Sequence, residues 1–219
     1  MGKRYDLHIH SIFSDGELIP AEIAQRCAVL DHAAIAITDH VDNTNMDFII
    51  NSLADSCQEL SQYTDLEVLP GVEITHLPLG MIAPLAKKAK NMGAKVVIVH
   101  GETLAEPVRK GTNLAAVKVE EVDILSHPGL ITKEEAELAR KNNIFLELTS
   151  RKGHCLTNGY VVKIATEVGN ALLLNTDAHA PEDLIDQKTA IDIAMGCGLS
   201  REDSKNVVAV NPESFLGII

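Results

Sequence analysis

The chain reads as an α/β protein, a distorted (β/α)7 TIM-like barrel forming one domain over residues 1–219. Three observations lead there. Short apolar runs alternate in series with longer segments of helical period, the pattern of parallel strands joined by helical crossovers. Most runs lack the polar–apolar alternation of a one-sided sheet, so both faces of each strand are buried. Histidines and acids gather where the runs end, and that end of a barrel carries its functional loops.

The first run, Tyr5–His10, passes through a loop containing Asp15 to Pro20. A proline there belongs in the first turn of a helix, and Ile23, Cys27 and Leu30 follow at helical spacing. The second run, Ala33–Thr38, leads into Asp39-His40; the third, Glu67–Ile74, carries Glu73 near its end. Gly93 stops a helix ahead of the fourth run, Lys95–His100. The connection Gly101–Lys118 is the least regular part of the chain and should hold short helical pieces. The fifth run, Val122–His127, is followed by Thr132-Lys133-Glu134-Glu135, a capping box that opens a helix. The sixth, Ile144–Leu148, ends in Thr149-Ser150-Arg151, and Gly169 stops the next helix before the seventh, Ala171–Thr176. Ser200 should cap a helix, Asn211-Pro212 should open the last one, and the apolar Phe215–Ile219 segment should cap the barrel.

Composition narrows the function. With 31 acidic residues against 19 Lys and Arg, the net charge is −12, which disfavours phosphate-backbone binding and makes nucleic acid an unexpected partner. Seven aromatics (three Tyr, four Phe) and no Trp leave few platforms for stacking bases. No apolar stretch is long enough to span a bilayer. The opening residues Met1-Gly2-Lys3-Arg4 show no signal peptide, and the four cysteines form no C-x-x-C pair. A cytoplasmic protein with reduced thiols is expected.

Six of the nine histidines, His8, His10, His40, His100, His127 and His179, lie at run ends, together with Asp15, Glu73 and Asp177. Residues two apart on a strand face one way, so His8 and His10 can close on one ion. Imidazole and carboxylate donors suit Zn, Mn or Fe. Arg151 and His154 share this rim, the first able to clamp phosphate and the second to donate a proton. Asp39, beside His40, is a candidate for orienting a ligating imidazole, whereas His32 falls at the opposite rim and reads as structural. Phe13 and Tyr160 read as packing aromatics, and His76 as a loop histidine.

His8-Ile9-His10 with Ser14-Asp15-Gly16, Thr38-Asp39-His40, Pro70-Gly71-Val72-Glu73, His100-Gly101, Ser126-His127-Pro128-Gly129 and Asp177-Ala178-His179 together resemble the polymerase and histidinol phosphatase (PHP) family. The likeness runs in order from about residue 5 to residue 180. It implies a distorted barrel with three divalent metal ions at its rim. His8, His10, Glu73 and Asp177 would hold the first ion; Glu73, His100 and His127 the second; Asp15, His40 and His179 the third. Several family members carry histidine at position 15, so Asp15 is this chain's departure from the pattern. The implied activity is hydrolysis of a small phosphate monoester, such as histidinol phosphate, by a hydroxide shared between two ions. Glu73, Asp177 and His100 would then be catalytic, with Arg151 and His154 beside them.

Three rivals remain at this level. Amidohydrolases also begin with H-x-H, yet commonly use a lysine where His100 ends the fourth run. A nuclease or nucleotide phosphoesterase of the same family would use the same ions. A non-catalytic, ribonuclease P-type RNA-binding subunit should be basic and should have lost ligands, unlike this chain. The residues leave the ester and the oligomeric state open.

Overall fold

The computed structural model describes residues 2–218. Seven principal strands, all parallel, follow one another around the barrel in the order β1 (Arg4–Ile9), β2 (His32–Ile37), β4 (Glu67–Ile74), β5 (Val96–His100), β6 (Ile124–Ser126), β7 (Phe145–Thr149) and β8 (Leu172–Asn175). The expected runs appear with shifts of one or two residues at their ends. One strand was not expected: β3 (His40–Val41) pairs with β4 beyond the end of β2. Thr38 and Asp39 interrupt this edge, with the Thr38 N–H donating to Ile9 O and the Glu73 N–H donating to Asp39 O. The break sets His40 at the rim.

The helices start and stop largely as their signals require. Pro20 opens α1 (Pro20–Val29), while α2 (Met46–Tyr63) and α3 (Leu79–Asn91) follow β3 and β4. The irregular connection holds only α4 (Thr112–Ala116). Thr132 and Glu135 form the reciprocal capping box of α5 (Lys133–Lys141), and Gly169 ends α6 (Asn158–Val168) in the left-handed conformation. After α7 (Gln187–Gly196), Ser200 caps α8 (Arg201–Lys205). Asn211-Pro212 does not open a fresh helix. The chain stays helical from α8 through a π-helical turn at Asn206–Val210 into α9 (Asn211–Phe215), and Asn211 instead donates its side-chain amide to Leu172 O at 2.7 Å.

Inward-facing residues change character along the barrel axis. Leu7, Ala36, Val96, Ile98, Ile124 and Leu173 make an apolar inner layer, against which Phe215 and Leu216 pack from below. The barrel-cap expectation thus holds for those two residues; Ile218 is exposed, and Ile219 lies outside the described residues. Continuing up each strand in steps of two brings in Glu73 after Leu69, His100 after Ile98, Ser126 after Ile124, Glu147 after Phe145, and Asn175 after Leu173. A register shift between Asp6 and Ile9 allows β1 to send Leu7 into the apolar layer and still aim His8 and His10 at the polar one. The larger hydrophobic core lies between the strands and the helices around them.

No ladder joins β8 to β1. At the upper end the Asp177 N–H donates to His8 O and the His10 N–H to Ala178 O, each at 2.9 Å. Lower down, side chains substitute for backbone pairing. Asn175 Oδ1 accepts from the Leu7 N–H (2.9 Å), Asp6 Oδ1 from the Thr176 N–H (3.1 Å), and buried Arg4 donates to Leu174 O (2.9 Å).

Gly101, directly after His100, lets the loops of β5 and β6 touch: its N–H donates to Ser126 O at 3.1 Å, and a Cβ would collide with that carbonyl. Gly101→Ala is expected to cost about 1–3 kcal/mol, the usual range for overpacking. A urea midpoint equal to that of the unsubstituted chain would show that the loops part freely.

Candidate metal centre

The structure gathers all nine ligand-type residues at the upper rim. His8 and His10 present their Nε2 atoms 3.0 Å apart. His10 Nε2 is 3.2 Å from Asp177 Oδ1, and His8 Nε2 is 3.5 Å from Glu73 Oε1. Glu73 is central. Its carboxylate meets His8, His10, His40 and His127 and accepts from the Ser126 hydroxyl at 2.7 Å. His127 Nε2 stands 3.6 Å from both Glu73 and Asp177. To one side, Asp15 Oδ1 is 3.2 Å from His179 Nε2 and 3.6 Å from His40 Nε2. To the other, His100 and His127 pack ring to ring at 4.5 Å.

Two of these residues sit on uncommon backbone. His127 and Asp177 have φ values of 24° and 54°, the left-handed region that non-glycine residues rarely enter. Such conformations persist where the surroundings over-determine them, commonly at functional sites. Here the His127 N–H donates to Glu147 Oε2 and the Asp177 N–H to His8 O.

The electrostatics are those of a crowded buried cluster. Burial alone would lower the His8 pKa, but Glu147, Glu73 and Asp177 raise it well above the ordinary imidazole value. Burial works against ionised Glu73, yet His8, His100 and His40 hold it well below the usual carboxylate range. Burial lifts the Asp177 carboxyl to about 7, with His8 opposing and Glu73 adding to the shift. His10 and His127 are pushed low by burial and by neighbouring imidazoles, hence neutral. Neutral imidazoles beside carboxylates are a metal donor set. Nδ1 of His10, of His127 and of His154 are buried with no hydrogen-bond partner among the described residues, and polar atoms so placed normally have one. The residues fit a group of cations.

Several side chains matter more, or otherwise, than the sequence suggested. Glu147, fully buried on β7, accepts at 2.8 Å from His8 Nδ1 and at 2.9 Å from the Asn175 amide, leaving His8 Nε2 free to face Glu73. Glu106, from the irregular connection, lies against His76, His100 and His154. Neither acid stands at a strand end, where the ligand-type residues were sought. Asp39 does not orient an imidazole; it accepts from the backbone and hydroxyls of Ser11 and Ser14 and so shapes the loop carrying Asp15. Arg151 is half-buried with Nε 3.7 Å from Asp177 and Nη1 3.6 Å from Asp183. His154 is buried at the rim, and burial lowers its pKa, which favours the neutral donor form over the imidazolium that proton donation needs. His32 is buried at the start of β2, at the opposite rim, and burial beside Arg4 lowers its pKa to about 3. Phe13 packs edge-on against Phe48, as a packing residue.

Comparison with known proteins gives three kinds of likeness. The model of the PHP domain family matches residues 6–117. An uncharacterized protein of Methanocaldococcus jannaschii is 51% identical over 214 residues, covering 97% of this chain and 98% of its own. Two solved structures share the fold at lower identity. An archaeal ribonuclease P with mature tRNA contains a chain with TM-score 0.65 at 19% identity, covering 93% of this chain and 91% of that one. A Lactococcus lactis histidinol phosphate phosphatase complexed with zinc, L-histidinol and phosphate has TM-score 0.64 at 16% identity, covering 91% of this chain and 95% of the other.

Proposed function

The chain belongs to the PHP domain family, and from that premise we propose that it is a metal-dependent phosphoesterase hydrolysing a small phosphate monoester, with histidinol phosphate as the model substrate. The carrying observation is the convergence of six imidazoles and three carboxylates on one rim, buried around Glu73 and open to solvent at Asp15, with Glu73 between the groups. His8, His10, Glu73 and Asp177 would hold a first divalent ion, Glu73 with His100 and His127 a second, and Asp15, His40 and His179 a third. Zinc, manganese and iron all suit these donors.

Bound ions of this kind lower the pKa of water and withdraw charge from phosphoryl oxygens. The chain's own residues prepare the rest. Glu147 accepts from His8 Nδ1, so that Nε2 is the nitrogen left for an ion, which would displace the proton held there by the surrounding acids. The Ser126 hydroxyl holds one oxygen of Glu73 and limits rotation of that carboxylate. Arg151, drawn to the rim by Asp177 and Asp183, places a guanidinium where phosphoryl oxygens would approach. Three carboxylates against three divalent ions leave a net positive pocket, matched to a phosphate dianion.

Metal analysis of protein purified without chelators, joined to a phosphate-release screen over histidinol phosphate, nucleotides and sugar phosphates, tests this reading. Ion-dependent release of phosphate is expected. Hydrolysis of an amide or lactone with no phosphate ester turned over would transfer the site to amide chemistry. Tight, salt-sensitive RNA binding by metal-free protein would make it an RNA-binding subunit, against the expectation from a net charge of −12.

Replacing Glu147 has a separate expected outcome. Glu147→Gln keeps the volume of the side chain but cannot accept at both ends: with its carbonyl on His8 Nδ1 and the Asn175 amide, its NH2 group faces the His127 N–H, and the flipped form opposes His8 instead. Zinc affinity, read by competition with a chromogenic chelator, should fall by about 10–100-fold. An unaltered affinity would remove Glu147 from this account.

A further inference from the structure

The rim loop between β5 and α4 is built like a strap. Glu102 Oε1 accepts from the N–H groups of Gly111 (2.8 Å) and Asn113 (3.0 Å), and Asn113 Oδ1 accepts from the Glu102 N–H (2.9 Å). The Asn113 amide then donates to Pro128 O at 2.8 Å, in the loop that carries His127. With its base pinned in this way, the strap leaves Leu104, Ala105, Glu106 and Pro107 exposed, and Glu106 reaches its carboxylate towards the imidazoles.

Glu106 Oε2 lies 3.1 Å from His100 Nε2 and 3.5 Å from His76 Nε2, and Glu106 Oε1 lies 3.4 Å from His154 Nε2. No lysine or arginine pairs with it among the described residues. His100 Nδ1 is turned to Gly101 O, so Nε2 is its free nitrogen. Ligand atoms of His100, His127 and His154 all lie within 4.8 Å of one another. Zinc binds nitrogen and oxygen at about 2.0–2.1 Å, which sets neighbouring donor atoms on one ion about 3–3.6 Å apart. The carboxylate–imidazole spacings fall in that range.

Resting on the metal-dependent reading above, we propose that Glu106 and His154 complete the donor set of the ion held by His100 and His127. His100 has one free ring nitrogen and so serves one ion; Glu106 joins that ion and does not mark a separate one. His154 enters from the turn after β7, where Gly153 faces Ala105 of the strap. This assignment replaces proton donation by His154. It also makes the second ion the most firmly held, since two residues beyond Glu73, His100 and His127 serve it.

Zinc titration of apo-protein against a competing chelator, with far-UV circular dichroism to verify folding, decides the matter. Glu106→Gln and His154→Asn should each weaken the tightest site tenfold or more, whereas Glu120→Gln, a change at an exposed glutamate, should leave it unchanged. Equal affinity and stoichiometry in the wild type and both rim variants would overturn the proposal while leaving the metal-dependent reading intact. A wild-type chain that binds no zinc, manganese or iron would overturn both.

Discussion

Glu73→Gln is expected to remain folded and to lose phosphate release by about 10²–10³-fold, the scale found when one preorganised group serving a transition state is withdrawn. Glu73 is fully buried and its carboxylate meets four imidazoles. Gln preserves its volume and an acceptor for the Ser126 hydroxyl, but withdraws the negative charge between the first two proposed ions. The melting temperature in chelator should fall somewhat, because Glu73 pairs with His8 and His40 even without ions. The loss should appear in turnover and in the number of ions retained after dialysis. Full turnover by a folded Glu73→Gln protein would end the hydrolytic reading.

Chelation of the native protein should produce the largest change in stability. A ligand at a thousand times its Kd adds about 4 kcal/mol to the folded state, and in a chain of this size 1 kcal/mol moves Tm by about 2–4 °C. Stripping even one such ion should therefore lower Tm by about 8–16 °C, and more when all are removed. The direction follows from the buried cluster: once the cations leave, its acids are compensated chiefly by protons on His8 and on Asp177, whose carboxyl burial lifts to about 7. Identical melting curves with and without EDTA would contradict it, provided metal analysis verifies that ions were present at the start.

The parts of this protein that were legible in its sequence are local ones. His8-Ile9-His10 and Asp177-Ala178-His179 are short motifs that mark their ligands locally, although Asp177 and His179 lie past the end of β8 with Asp177 in the left-handed region, and Thr132–Glu135 caps its helix by contacts four residues wide at most. Glu147 was illegible because its role depends on which residue of β8 and which of β1 come opposite it, a register that no local pattern records. Glu106 was hidden in a loop without periodicity, held by a Glu102–Asn113 pairing across eleven residues. Asp39 shows the reverse failure. Adjacent to His40, it looked like that residue's partner, yet the break between β2 and β3 turns it towards Ser11 and Ser14. Asn211-Pro212 carried a valid helix-start signal that the preceding π-helical turn overrode.

The ladderless junction between the first and last strands gives the cations a mechanical part. His8 and His10 stand on one bank of that seam, Asp177 and His179 on the other, and only a few backbone bonds with scattered side chains cross it. Ions shared across it would act as rivets in a hoop. On demetallation the hoop should spring there first, with amide exchange accelerating in residues 4–9 and 172–178 before it does in β4 or β5.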